Sequence, residues 1–97
     1  MRMLLKARLD TDKGNELIQS GRMAELLESL LQRLQPEAAY FTPERGRRCC
    51  LFVIDMQDPS QLVPLTEPFF TEMGAEVTVQ PAMNVDDVKR GMAARQG

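Results

Sequence analysis

The stretch RGRRCCLFVIDMQDPS at residues 45–60 decides the fold, because it carries a strand directly into a helix start. Residues 47–56 are rich in apolar residues, valine, isoleucine and phenylalanine among them, that suit a pleated and buried surface. Asp58 and Pro59 then form a strong helix-start pair, since proline is well placed at the first helical position. This stretch therefore predicts a strand that ends near Met56 and is followed at once by a helix.

Two further strands are predicted upstream of this stretch. Residues 43–46, PERG, predict a turn, and residues 38–42 predict a strand that forms a hairpin with residues 47–56. Near the start of the chain a period of two predicts a half-buried strand, with one apolar side formed by Met3, Leu5, Ala7 and Leu9. Its other side would be mostly basic and would carry Arg2, Leu4, Lys6 and Arg8.

Helical spacing marks the segment between the first two strands. Residues 10–12 offer helix-start side chains, and the Ser20–Gly21 pair weakens the helix that follows them. Beyond that break, an apolar stripe at helical spacing consists of Met23, Leu26, Leu27, Leu30, Leu31 and Leu34. The spacing predicts an amphipathic helix that stops before Pro36.

The second half of the chain predicts a helix, a strand and a last helix. Pro64 and Pro68 each remove a backbone donor, so the helix after Pro59 is expected to be kinked or in two parts. It should end at Gly74. A fourth strand over residues 76–80 and a short helix from about Asn84 follow, and the tail, GMAARQG at residues 91–97, is expected to fray.

The order of these elements predicts an α+β fold, namely a ferredoxin-like βαββαβ arrangement with a short C-terminal helix. We expect a single domain over residues 1–97, since two cores in a chain of this length would each be too small. Both main helices would cover one face of a four-stranded antiparallel sheet, which leaves the other face to water, a ligand or a partner. That face should include Leu4, Lys6, Arg8, Glu76, Thr78 and Gln80, whereas the third strand is apolar on both sides and its orientation stays open.

Composition argues against several classes of function. The net charge is −2, which gives no basic field for nucleic acid, and no apolar run is long enough for a membrane span. Histidine is absent, so the commonest metal ligand is missing, and we expect neither a metal nor a cofactor. The only two cysteines are adjacent, which argues against a disulfide framework and favours a cytoplasmic location.

The cysteine pair and the arginines before it favour a structural interpretation. Consecutive strand residues point to opposite faces, so Cys49 and Cys50 do not suit one metal ion or a disulfide. Arg45 and Gly46 begin a ribonucleoprotein-like signature, but Arg47 and Cys49 occupy the positions where stacking aromatics are required. We therefore expect no nucleic-acid binding.

Two clusters carry candidate functional side chains. Tyr40 is the only tyrosine, and its hydroxyl could orient or protonate a ligand, although it could equally be an ordinary aromatic at the rim of the domain. Glu67, Phe69 and Phe70 gather beside the irregularity that Pro68 introduces. The alternative for this second cluster is that the phenylalanines pack the helix on the sheet and Glu67 is solvated.

The segments PEAAYF (36–41), FVIDMQDPSQ (52–61) and EPFFTEMGAEV (67–77) resemble small uncharacterised bacterial domains of the dimeric α+β barrel superfamily. The resemblance implies a homodimer in which two ferredoxin-like units bring their free sheet faces together, with ligand cavities between sheet and helices. Similar proteins include muconolactone isomerases, cofactor-free monooxygenases, haem-degrading enzymes and stress-related domains. The present chain departs from these because it lacks the histidine that several of their chemistries use.

These patterns together predict a cytoplasmic homodimer that binds a small organic acid or aromatic ligand beside the sheet. Its ligand-binding residues would be Lys6, Arg8, Tyr40, Phe69, Phe70 and Gln80. If the protein is an enzyme, for example a cofactor-free isomerase or a monooxygenase-like protein, then the candidates for proton transfer are Tyr40, Glu67 and Glu76. The alternative is a non-catalytic module that pairs with itself or with another protein through its sheet face.

Overall fold

A computed structural model describes residues 1–96 of the chain. Its strands are β1 (Arg2–Arg8), β2 (Ala38–Glu44), β3 (Arg47–Asp55) and β4 (Glu76–Pro81). Its helices are α1 (Thr11–Gln19), α2 (Arg22–Leu34), α3 (Leu62–Met73) and α4 (Val85–Gln96), with a 3-10 turn at Pro59–Gln61. The element order confirms the α+β, ferredoxin-like fold class that the sequence predicts.

The four strands form one antiparallel sheet in the order β2-β3-β1-β4. In its register Leu5 of β1 lies opposite Phe52 of β3 and Val79 of β4. Because side chains alternate along each strand, this register places Leu5, Phe52 and Val79 on the same face. Helices α1, α2 and α3 cover that face, and Phe52 is fully buried beneath them.

The core lies between this face and the helices, and it settles the orientation of β3. Phe52 stands between Phe41, whose ring centroid is 5.9 Å away, and Phe69 of α3, whose centroid is 5.8 Å away. Cys50 and Ile54, which alternate with Phe52 at a period of two, are buried in the same layer. Cys49, Leu51 and Val53 of β3 therefore point to the opposite face.

The hairpin turn is shorter than the sequence suggested. Pro43 and Glu44 belong to β2, so the prediction of a four-residue turn was wrong for these two residues. Pro43 fits in a strand because β2 is an edge of the sheet, where a missing amide leaves no ladder bond unmade. The turn itself is Arg45–Gly46, with φ of 51° and 78°, which is typical of a tight two-residue hairpin turn.

Helix α3 is continuous through Pro68, and the 3-10 turn separates it from the helix start at Asp58. Because Pro68 has no amide hydrogen, it leaves the carbonyl of Pro64, one turn earlier, without its usual helical donor. Arg33 of α2 donates from Nη2 to this oxygen over 3.3 Å. The irregularity that the sequence predicted is thus present, and the hydrogen bond that compensates for it joins two helices. Helix α3 ends at Gly74, whose φ is 56°.

Helix α4 begins where the sequence placed it. Asn84 and Asp87 form reciprocal hydrogen bonds, since the Asn84 amide donates to Asp87 Oδ2 over 3.0 Å and the Asp87 amide donates to Asn84 Oδ1 over 2.8 Å. The helix continues to Gln96, so the prediction of a frayed tail was wrong up to that residue. Gly97, the last residue of that predicted tail, lies outside the described residues.

Candidate binding site

The face of the sheet that the helices leave uncovered, called the open face here, is built by alternate residues of all four strands. Their register places Leu4, Lys6 and Arg8 of β1 beside the matching rows of the other strands. Other members of the open face include Tyr40, Thr42, Glu44, Cys49, Leu51, Val53, Glu76, Thr78 and Gln80. The sequence predicted the part contributed by β1 and β4, and the structure adds β2 and β3.

A depression of about 510 Å³ lies on the open face. Apolar side chains contribute to its lining through Leu4 and Leu51, with the Cys49 thiol beside them. Polar groups around it come from Lys6, Thr42, Glu44, Thr78 and Gln80. Its volume lies within the range of about 300–1,000 Å³ that is typical of small-molecule sites.

The cations of the open face already have carboxylate partners within the chain. Lys6 Nζ lies 2.7 Å from Glu44 Oε1, and Arg8 Nη2 lies 2.7 Å from Glu76 Oε2. The hydrogen bond from Lys6 lowers the pKa of Glu44, and the hydrogen bond from Arg8 lowers the pKa of Glu76. Arg47 adds a weaker contact of 3.8 Å to Glu76. The face therefore presents alternating, matched charges.

The same matching continues at the end of the sheet where β1 begins. Arg2 Nε lies 2.9 Å from Glu37 Oε1, and the terminal ammonium of Met1 lies 2.8 Å from Asp55 Oδ1. Asp55 also holds a lowered pKa, chiefly because of its hydrogen bond from that ammonium. Asp58, which the sequence assigned to the helix start, has a side chain that accepts from the Ser60 amide.

Four of the six predicted ligand-binding residues lie on the open face. Lys6 and Gln80 line the depression directly. Arg8 and Tyr40 share the face with them, and Tyr40 leaves 66% of its surface exposed. The structure thus brings these four side chains to one side of the molecule.

The other two predicted ligand-binding residues lie elsewhere, which corrects the predicted grouping. Phe69 is fully buried against Phe52 in the core, on the helix-covered side of the sheet. Phe70 follows it on α3 and is half exposed. The physical reason is that α3 packs against the covered face, so neither ring can form a wall of the open-face depression.

The three candidates for proton transfer do not meet. Glu67 lies on α3 at the outer surface of the helical layer, next to Pro64 and Thr71. Glu76 and Tyr40 share the open face but stand on β4 and β2, at opposite edges of the sheet. The lowered pKa of Glu76 also weakens it as a proton acceptor. The described residues therefore do not form a catalytic set from these three candidates.

The cysteines lie on opposite faces, as the strand prediction required. Burial raises the pKa of Cys50, in the core, to about 11, and burial is also the main cause of the raised pKa of Cys49 on the open face. Both thiols are therefore protonated near neutral pH and poor nucleophiles.

Within residues 1–96 no group of three potential metal ligands comes together, and no helix there is long and apolar enough to cross a bilayer.

A second cavity, called the apolar cleft here, opens between α1, α2 and the β2–β3 hairpin. It has a volume of about 350 Å³ and is lined largely by Leu9, Ile18, Met23, Leu27, Phe41 and Cys50, with Arg48 at its side. None of the ligand-binding residues predicted from sequence lines it. Arg48 is held by Asn15, whose Oδ1 accepts from Nη2 over 3.0 Å.

Sequence reasoning missed Glu44, Thr42 and Leu51 as members of the depression. Glu44 was assigned to a turn, although the alternation of Tyr40, Thr42 and Glu44 would have placed all three on one face of a longer strand. Leu51 was left undecided because both faces of β3 are apolar. The strand register places all three residues on the open face.

Comparisons with known proteins assign no family to the chain. No protein-family model and no curated protein matches the chain. A de novo designed protein, Ferredog-Diesel, has a similar structure, with 15% sequence identity and a TM-score of 0.46 over 84% of this chain and 85% of that chain.

Proposed function

We propose that the protein is a homodimer that binds a small, partly apolar organic acid in the depression of the open face. The single observation that carries this proposal is an apolar floor with a polar rim on the face that the helices leave uncovered. A site of this kind fixes a ligand through a few polar contacts and gains affinity from apolar contact. Aromatic acids and keto acids fit this description.

The polar rim offers both donors and acceptors to such a ligand. Lys6 would meet the ligand's carboxylate in place of Glu44, which is half exposed and free to turn toward water. Thr78 and Gln80 supply hydrogen bonds from β4, and Leu4 and Leu51 supply apolar contact. The proposal concerns binding, since the candidates for proton transfer do not form a set.

The chemistry of the open face supports its pairing with the open face of a second copy. Leu4, Leu51 and Val53 give the face an apolar strip, and its charges are matched within each chain, so two copies meet without like-charge repulsion. Such pairing is the arrangement of the dimeric α+β barrel superfamily that the sequence resembles. It would convert the depression from an exposed hollow into an enclosed cavity.

A second candidate function is a pairing module without a ligand. The observation that favours it is the pairing of Lys6 with Glu44 and of Arg8 with Glu76, because it leaves both cations already neutralised. In that case the two open faces would fill one another, and no small molecule would stabilise the protein.

A thermal-shift screen against small aromatic acids and keto acids tests the proposal. A ligand at about 100 times its Kd should stabilise the fold by about 2.7 kcal/mol and raise the Tm. The shift should be lost in Lys6→Ala, and it should be reduced in Tyr40→Phe if the Tyr40 hydroxyl contacts the ligand. The control is Lys13→Ala, which removes a cation from the exposed surface of α1 and should keep the shift. No stabilisation by any of these acids, in a protein that remains dimeric, would favour the pairing module instead.

A further inference from the structure

Helix α4 does not pack on its own domain. Every residue from Val85 to Arg95 is exposed except the half-buried Asp87, which contacts Arg2 over 3.8 Å. The radius of gyration is 15.5 Å, whereas a compact domain of this length has about 12.5 Å. The long axis of the molecule is 56 Å. The helix is therefore anchored at its base and projects from the body.

The projecting helix carries an apolar stripe on one side. Val85, Val88 and Met92 follow one another at helical spacing and are 70%, 40% and 61% exposed. A helix of this length is marginal in water on its own, and Gly91, a poor helix former, lowers its stability further. The stripe therefore needs a partner surface if α4 is to be stable.

The apolar cleft is the matching unpartnered surface of the same chain. Ile18 and Phe41 line it and remain 48% and 52% exposed. It lies beside β2, at the opposite edge of the sheet from β4, which leads into α4. The two edges are about 14 Å apart, and only residues 82–84 connect β4 to α4. The helix therefore fits the cleft of a second copy better than its own.

We infer that α4 is an exchanged arm, whose Val85, Val88 and Met92 occupy the apolar cleft of a second copy while the second copy returns its own α4. This inference rests on the homodimer of the proposed function and names a device that holds it together. A reciprocal exchange of this kind obeys two-fold symmetry, since the same two surfaces are used by each copy. The arm would also cover the edge strand β2, which is otherwise open to pairing.

The open face alone is too small for a stable dimer interface, which supports a further contribution from α4. Four strands of six to nine residues present a face of about 19 by 23 Å, or about 440 Å². A stable dimer buries about 800 Å² on each partner. An α4 arm about 18 Å long and 10 Å wide adds about 180 Å² where it docks, and the cleft that receives the other arm adds as much again. The open face, the docked arm and the receiving cleft together reach the area that a stable dimer buries on each partner.

A double-mutant cycle on the full-length chain tests the exchange. Sedimentation equilibrium would give the dimer dissociation constants of the wild type, Met92→Asp, Ile18→Asp and the double variant. Ala94→Asp and Gln19→Asp are the matched controls, because they introduce the same residue on the opposite side of α4 and beside Ile18 on α1. Far-UV circular dichroism checks that each variant keeps the folded body. If Ile18→Asp does not fold, the comparison of Met92→Asp with its control Ala94→Asp tests the exchange on its own.

The exchange predicts that Met92→Asp and Ile18→Asp each weaken the dimer at least tenfold and that the double variant weakens it little further. The controls should stay within about twofold of the wild type. A wild-type dimer that Met92→Asp leaves unchanged would overturn the exchange and leave the proposed function standing. Fully additive losses would overturn the docking of α4 in the cleft. A wild-type monomer would overturn both the exchange and the homodimer.

Discussion

Lys6 Nζ lies 2.7 Å from Glu44 Oε1, so one ion pair reaches from the inner strand β1 across β3 to the edge strand β2. Cys49 of β3 points to the same face and is only 3% exposed, although no helix covers it. All three side chains line the open-face depression. The ion pair thus forms part of the depression's surface, and we expect it to cover the thiol.

This cover makes Cys49 a reporter for Lys6. In dilute protein that carries Cys50→Ala, we expect Lys6→Ala to speed the reaction of Cys49 with a thiol reagent severalfold. Loss of the lysine charge alone would raise the pKa of Cys49 and slow the reaction. Burial is the largest cause of the raised pKa, so the gain in access should outweigh the loss of charge.

Two controls separate access from charge. Lys6→Met keeps the cover and removes the charge, so it should leave the reaction as slow as in the parent protein or slower. In Cys49→Ala, the buried Cys50 should stay unreactive with or without Lys6. Equal rates for Lys6→Ala and Lys6→Met would show that Lys6 does not cover the thiol.

The carboxylates of the open face should make the folded state less stable in acid. Their arginine and lysine partners hold the pKa values of Glu44 and Glu76 below the ordinary value of 4.5. Because the pKa values are lower in the folded state, the unfolded chain takes up protons first as the pH falls. These groups therefore stabilise the fold above about pH 4.5, and that contribution is lost as the pH falls further. Urea unfolding across this range measures the loss.

The variant Glu44→Gln/Glu76→Gln should lose less stability on acidification than the wild type. Its matched control is Glu25→Gln/Glu28→Gln on α2, which should keep the wild-type slope. If both double variants followed the wild-type curve, the ion pairs of the open face would not contribute to the folded state.

The aromatic rings packed around Phe52 should dominate the core's stability. Phe52 is fully buried between two other rings, so Phe52→Ala should lose about 3–5 kcal/mol of unfolding free energy. Phe41→Ala should lose much less, because half of that ring is exposed. Denaturant unfolding measures both, and similar losses would contradict the position of Phe52 at the centre of the core.

The contact between Arg33 and the carbonyl of Pro64 should depend on Pro68. Arg33→Met should lose up to about 1 kcal/mol in the wild type, where the carbonyl lacks a helical donor. In Pro68→Ala the helix supplies its own amide, so the same change should cost little. An equal loss in both backgrounds, measured by denaturant unfolding, would contradict the compensation.

Much of the fold could be predicted from the sequence because its patterns are local. The alternation of Met3, Leu5 and Ala7 is enough to define a half-buried strand, and the Asp58–Pro59 pair is enough to start the next helix. The orientation of β3 could not be predicted, because Leu51 and Phe52 are both apolar and only packing against Phe69 distinguishes them. Pro43 misled the turn assignment because its place at a sheet edge is a tertiary property.

The candidate site was less predictable, since it depends on contacts between distant segments. Lys6 and Gln80 were found because β1 and β4 alternate clearly. Glu44 was not assigned as the partner of Lys6, since the two are 38 positions apart along the chain. Phe69 had two interpretations, a ligand contact or a core residue that packs the helix on the sheet, and only its burial against Phe52 selects the second.

Tyr40 provides the most direct measurement of whether the open face is an interface. It is the only tyrosine, and the chain has no tryptophan, so its fluorescence reports this face alone. Acrylamide quenching should weaken as the protein is concentrated and the open faces of two copies shield the ring. Quenching that stays as strong at the highest concentration as in dilute protein would contradict the pairing of open faces.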